Sequence, residues 1–69
     1  MSTLTEVDVA RALLSMLRSL VVEIPDTTGG VAEVTSARLL AELGITRHQG
    51  VALDLTDGSR WLIFVQLHP

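Results

Sequence analysis

The chain has 69 residues, 48% of them apolar, with five arginines against eight acidic side chains and a net charge near −3. That apolar fraction excludes a disordered segment, which lacks the burial to offset chain entropy, and the length admits one domain, residues 1–69. The absence of cysteine excludes a disulfide framework and a thiolate zinc site, and the absence of lysine excludes a Walker A loop, a Schiff-base lysine and a Ser-x-x-Lys nucleophile.

The first element is a helix. Thr3-Leu4-Thr5-Glu6 has the T-x-x-E form of a capping box, which predicts a helix from Leu4 to Val21 with Thr3 as its cap. At helical spacing Val7, Val9, Ala10, Leu13, Leu14, Met16, Leu17, Leu20 and Val21 gather on one side, opposite Asp8, Arg11, Ser15, Arg18 and Ser19. The apolar arc covers roughly 180°, against the ~100° that suffices for a helix lying on one core. Such a helix is expected to contact its own sheet and also a second copy or a partner.

Leu20-Val21-Val22-Glu23-Ile24 is β-branched and predicts a short strand, with Pro25 turning Ile24 away from helical angles. Pro25 to Gly30 reads as a loop, and Val31 to Thr35 as a weakly alternating strand. Ser36 is placed as the N-cap of a second helix, Ala37 to Leu43, that turns Leu39, Leu40 and Leu43 inward and ends at Gly44. Val51, Leu53 and Leu55 alternate with Ala52, Asp54 and Thr56, and Asp57-Gly58 is the favoured pair for a two-residue type I′ turn. The return strand, Arg60 to Leu67, is apolar on both faces and is therefore expected to be central and covered on both sides. The fold class is α+β: an N-terminal amphipathic helix and a short second helix packed on a small antiparallel sheet that ends in a C-terminal β-hairpin.

Ser36 to His48 resembles the first helix, glycine turn and second-helix entry of a helix-turn-helix, and Thr46-x-x-Gln49 has the form of a further capping box. In its order of elements most of the chain resembles a winged helix-turn-helix domain. The resemblance implies a DNA-binding regulator whose contacts are Arg38, Arg47, His48 and Arg60. Two residues depart from the motif. Leu40 stands where a small residue is preferred, and Gly50 where the second helix wants a β-branched core residue. Residues 46–50 are open to two readings, a recognition helix or a turn into a strand.

Catalytic and metal-binding constellations are thin. His48 and His68 are the only imidazoles, and their spacing to Asp54 or Asp57 follows no ligand pattern, so no metal or cofactor is expected. Glu23, Asp26 and Glu33 read as a solvated acidic edge, and Gly29-Gly30 lacks the G-x-G-x-x-G form that cradles phosphates. No G-x-S-x-G is present, and a chain this short offers little depth for a pocket, so no enzymatic activity is expected.

The acidic balance speaks against phosphate backbones and anionic membranes. No apolar run is long enough to span a bilayer and no secretory pattern is visible, so a cytoplasmic protein is expected. A domain of this size buries only about 60% of its unfolded surface, and a single core of this size rarely supplies more than ~3–5 kcal/mol. Without disulfides or a metal, self-association is the common remedy. These properties point to a small protein-interaction module, a homo-oligomer acting as adaptor or inhibitor of a larger partner. Its expected interface residues are Leu13, Leu14, Met16, Leu17, Leu20, Trp61 and Phe64. Trp61 fits equally an interface anchor or a core residue packed on the first helix.

Overall fold

A computed structural model describes residues 3–68. Its elements, in chain order, are helix α1 (Glu6–Ser19), strands β1 (Glu23–Pro25) and β2 (Val31–Leu39), a one-turn helix α2 (Leu40–Leu43), and strands β3 (Gln49–Leu55) and β4 (Arg60–Val65). The four strands form one antiparallel sheet in the order β1-β2-β3-β4. The α+β class and the C-terminal hairpin are as expected.

Thr5, not Thr3, caps α1. Its hydroxyl accepts from the Asp8 amide, and the Asp8 carboxylate accepts from the Thr5 amide at 2.9 Å, closing a capping box further along the chain than T-x-x-E suggests. Glu6 is engaged elsewhere: its carboxylate accepts the Leu67 amide at 2.8 Å and ties the chain's C-terminal segment to the start of the helix. The helix also stops early, with Leu20 already extended. It packs Leu14 into a cluster with Ala37, Val51, Leu53 and Leu55, and Leu13 and Leu17 lie against that cluster.

β2 is the largest departure from expectation. It runs nine residues, through Ser36, Ala37 and Arg38, which therefore do not begin a helix. Pairing with β3 explains this, because Ser36, Ala37, Arg38 and Leu39 lie opposite Asp54, Leu53, Ala52 and Val51. Ladder bonds and burial against a central strand outweigh the high helix propensity of Ala and Arg, which is worth less than about 1 kcal/mol per residue. A register shift between Val34 and Ser36 breaks the two-residue alternation. Ala32 and Val34 before the shift, and Ala37 and Leu39 after it, all pack on the same core, which disguises one long strand as a short strand followed by helical spacing. α2 is left with a single turn and no side-chain cap, ended by left-handed Gly44 whose amide donates to the Leu40 carbonyl at 3.2 Å.

Among the described residues no second helix follows Gly44. Gln49 already opens β3, so the winged helix-turn-helix order is not realised and residues 46–50 are a turn into a strand. β3, rather than β4, is the strand covered on both sides: Gly50 to Leu53 and Leu55 are buried. β4 stands at the sheet edge, and five of its six residues are exposed.

The β3–β4 turn is not the two-residue type I′ form. Asp57 keeps negative φ, because its carboxylate accepts both the Ser59 amide (2.9 Å) and hydroxyl (2.5 Å). The Gly58 amide donates to the Leu55 carbonyl at 3.1 Å and the Leu55 amide to the Ser59 carbonyl at 3.0 Å. The result is a three-residue loop, a type I turn followed by a left-handed glycine at φ 86°. The β1–β2 loop repeats this backbone, with the Asp26 amide donating to the Gly30 carbonyl at 2.8 Å and Gly29 left-handed, but there the carboxylate belongs to the residue preceding the loop, Asp26, which receives the amides of Thr28 and Gly30. Space around Gly58 is open, so Gly58→Val suffers only from the backbone conformation it must adopt. We expect it to cost about 1–2 kcal/mol, measured as a lowered urea midpoint with an unchanged slope. Wild-type stability in that variant would contradict the turn geometry.

Candidate functional site

The surface around β4 is built by the hairpin register. Pairing sets Leu53 opposite Trp61, Val51 opposite Ile63 and Gln49 opposite Val65. These residues share the face on which α1 packs, since Val51 and Leu53 belong to the core cluster with Leu14. Ala52 opposite Leu62 and Gly50 opposite Phe64 share the other face. α1 makes few contacts with β4, leaving Trp61 60% and Phe64 54% exposed, with Leu62 and Ile63 also open. The Trp61 indole N–H donates to the Ser59 hydroxyl at 2.9 Å, which holds the ring over the start of the strand.

Between β4 and the β1–β2 tip lies an apolar groove of about 550 Å³. Leu53 and Leu55 contribute to its lining from the core, with Ile24 and Val31 from the tip and Trp61 and Ile63 from β4. Asp26 and Asp57 also line it. Hydrogen bonds hold both carboxyls below the usual range: Asp26 chiefly through the Thr28 hydroxyl, then the amides of Thr28 and Gly30, and Asp57 chiefly through the Ser59 hydroxyl and amide. Both are ionised at neutral pH, so the groove carries negative charge.

Two further carboxyls are lowered. Asp8 is held down by the Thr5 amide and hydroxyl, and Asp54 by the Arg60 guanidinium, which contacts it at 2.6 and 3.1 Å. Groups whose folded-state values lie below the ordinary 3.8 stabilise the fold only while ionised. That stabilisation is present above the ordinary carboxyl value and is lost as pH falls through the lowered ones. We expect the melting temperature to be flat from neutrality to about pH 5 and to drop below about pH 4. Asp26→Asn and Asp57→Asn together should flatten that drop, as read from thermal melts at about pH 3 and about pH 6. An equally steep acid limb in the double variant would rule these two carboxylates out as its source.

The residues expected to form an interface divide into three groups. Leu14 is buried in the core, and Leu13 and Leu17 are half-buried against it. Met16 and Leu20 face solvent on α1 and just beyond its end, and Trp61 and Phe64 do so on β4. Not legible in the sequence are Ile24 and Val31, which the β1–β2 hairpin brings into the lining of the same groove as Trp61. Their signal was β-branching beside Pro25 and Gly30, but only the pairing of β1 with β2 reveals their location.

The residues considered for nucleic-acid contact are spread over separate elements. Arg38 lies in β2 opposite Ala52, Arg47 and His48 lie in the loop before β3, and Arg60 is bound to Asp54. The His48 ring meets Phe64 edge-on with centroids 5.5 Å apart. Among the described residues no group of three or more His, Asp or Glu is arranged to hold a metal ion, and no helix is long and apolar enough to cross a membrane. The chain matches no protein-family model, no curated protein and no solved structure.

Proposed function

We propose that this protein is a small non-enzymatic protein-interaction module that associates with itself and acts as an adaptor or inhibitor of a larger partner. The observation that carries the reading is β4, an edge strand of sequence Arg-Trp-Leu-Ile-Phe-Val with large apolar side chains exposed on both faces of the sheet. Monomeric proteins blunt such edges, and an exposed apolar edge strand is a template for pairing with another chain. The neighbouring groove extends the same apolar surface to Ile24 and Val31. Tryptophan is enriched among interface anchors, and Trp61 occupies the junction between strand and groove.

Molecular area supports the same reading. The chain exposes 5333 Å², whereas a compact monomer of 7.4 kDa is expected to expose about 4,200 Å². Its radius of gyration is 13.4 Å against the ~11 Å of a compact domain of this length.

Trp61 is the only tryptophan, so its fluorescence reports on this surface alone. We expect its emission to move to shorter wavelength as concentration rises, in step with a mass by light scattering above 7.4 kDa. A 7.4 kDa species at every concentration, with unchanged emission, would remove the self-association on which the proposal rests.

A further inference from the structure

The two edges of the sheet are built differently. β1 is three residues long, begins at Glu23 and ends at Pro25, features that discourage pairing with another chain. Along β2 beyond β1, the Arg18 guanidinium donates to the Ala37 carbonyl at 3.2 and 3.0 Å. β4 has no such protection. It contains no proline, its register with β3 is unbroken, and its one charge, Arg60, is already matched by Asp54.

Hydrogen-bond parity shows what β4 offers at this edge. The Leu55 amide donates to the Ser59 carbonyl, so Leu55 faces the β4 side, and the Thr56 amide donates to the Glu33 carbonyl, so Thr56 faces the β2 side. Alternation along β3 then turns Leu53 and Val51 toward β4, and their opposites Trp61 and Ile63 back toward β3. The Ala37 carbonyl obeys the same rule: opposite Leu53, it points away from β3 and is taken by Arg18. Arg60, Leu62 and Phe64 therefore direct their N–H and C=O groups outward along the edge.

We infer that the occupant of this edge is a second copy of the chain, its β4 antiparallel to the first about a twofold axis through Ile63. The inference deepens the interaction-module reading and rests on it. A twofold axis normal to the sheet keeps each face continuous, so outward-directed residues must meet outward-directed residues. With Ile63 on the axis, Leu62 lies opposite Phe64 of the second copy, Trp61 opposite its Val65 and Arg60 opposite its Gln66. Apolar then meets apolar on both faces, and the one cation meets a neutral polar side chain. Placing Leu62 on the axis would instead set Arg60 against Phe64. The area agrees in scale: the monomer exposes roughly 1,100 Å² more than a compact chain of its mass, and a standard interface covers about 800 Å² per partner.

The chain has no cysteine, so a single introduced one reports without ambiguity. Under the proposed register the two copies of residue 63 form a non-hydrogen-bonded pair with Cα atoms about 4.5 Å apart, within disulfide reach. Mild oxidation of the full-length Ile63→Cys variant should give a covalent dimer in near-complete yield. Trp61→Cys should give almost none, because its twofold mate lies four residues along the strand, about 13 Å away. Leu62→Pro removes an amide that points outward and none that bonds β3, so it should yield a chain with an unchanged circular dichroism spectrum and half the wild-type mass. A wild-type dimer in which the Ile63→Cys variant links no better than the Trp61→Cys variant overturns the inference and leaves self-association standing through another face, such as that of Met16 and Leu20. A wild-type chain of monomer mass at every concentration overturns both.

Discussion

Gly50→Ala is expected to unfold this protein. Gly50 is buried in β3 opposite Phe64, with a backbone φ of 157° that residues bearing a Cβ rarely adopt. A Cβ built there collides with the carbonyl oxygen of Ile63 on β4 and comes within 3.0 Å of the Leu40 Cδ1 atom. The second contact is with the end of a flexible side chain and is relieved by rotation. The first is with the backbone of a paired strand, and relieving it means moving β3 away from β4 across their ladder. Overpacking of this kind costs about 3 kcal/mol, and a core of this size supplies only ~3–5 kcal/mol. The expected result is loss of the cooperative melting transition and of dispersed amide resonances at room temperature. Shortening Leu40 at the same time should not rescue the fold, because the backbone collision remains. A Gly50→Ala chain that melts within a few degrees of wild type would contradict the β3–β4 geometry on which the surface at Trp61 and Phe64 depends.

Gly50 also illustrates how much of the fold was legible in the sequence. It was unsuited to the interior of a recognition helix, and the structure gives the reason: the position belongs to a strand packed too closely for a side chain. Alternation in Val51, Leu53 and Leu55 identified β3, and Asp57-Gly58 placed the turn, because both are local patterns with local causes. The turn type was not legible, since Asp57 spends its carboxylate on Ser59 and thereby stays at negative φ. Ser36, Ala37 and Arg38 read as helical for a non-local reason. Their partners lie well downstream in β3, and the register shift near Thr35 hides the alternation that would have marked them as strand. The surface was partly legible. Exposed Trp61 and Phe64 are conspicuous in any apolar run, but whether such a run is central or marginal depends on sheet order, which composition does not encode. Among the helix residues expected at an interface, Leu14 and Met16 share one apolar arc, and only the position of the sheet separates the buried one from the exposed one.

Leu40→Ala is expected to be the costliest side-chain truncation among the α2 residues and their neighbours. Leu40 is fully buried at the junction where β2 becomes α2, and its Cδ1 atom sits over Gly50. Glycine at that position of β3 provides the space, so the two residues form one packing unit drawn from two separate elements. α2 has no side-chain cap and only one turn, and the bond from the Gly44 amide to the Leu40 carbonyl closes it. Its placement therefore depends on Leu40 more than on its own hydrogen bonds. Removing a buried leucine side chain costs about 2–5 kcal/mol, the larger values arising where the surroundings fail to collapse into the cavity. Here the strand backbone beneath is fixed by pairing on both sides, which limits collapse. In urea, where small domains lose about 1 kcal/mol per molar, the midpoint should fall by about 2 M or more. The comparison is made at fixed protein concentration, the control that mass action requires of an associating chain. Ile45→Ala, at an exposed neighbouring site, should shift it by only a few tenths of a molar. Equal shifts in the two variants would mean that Leu40 is not the anchor of α2, and that the loop leading into β3, with Arg47 and His48, is positioned by something else.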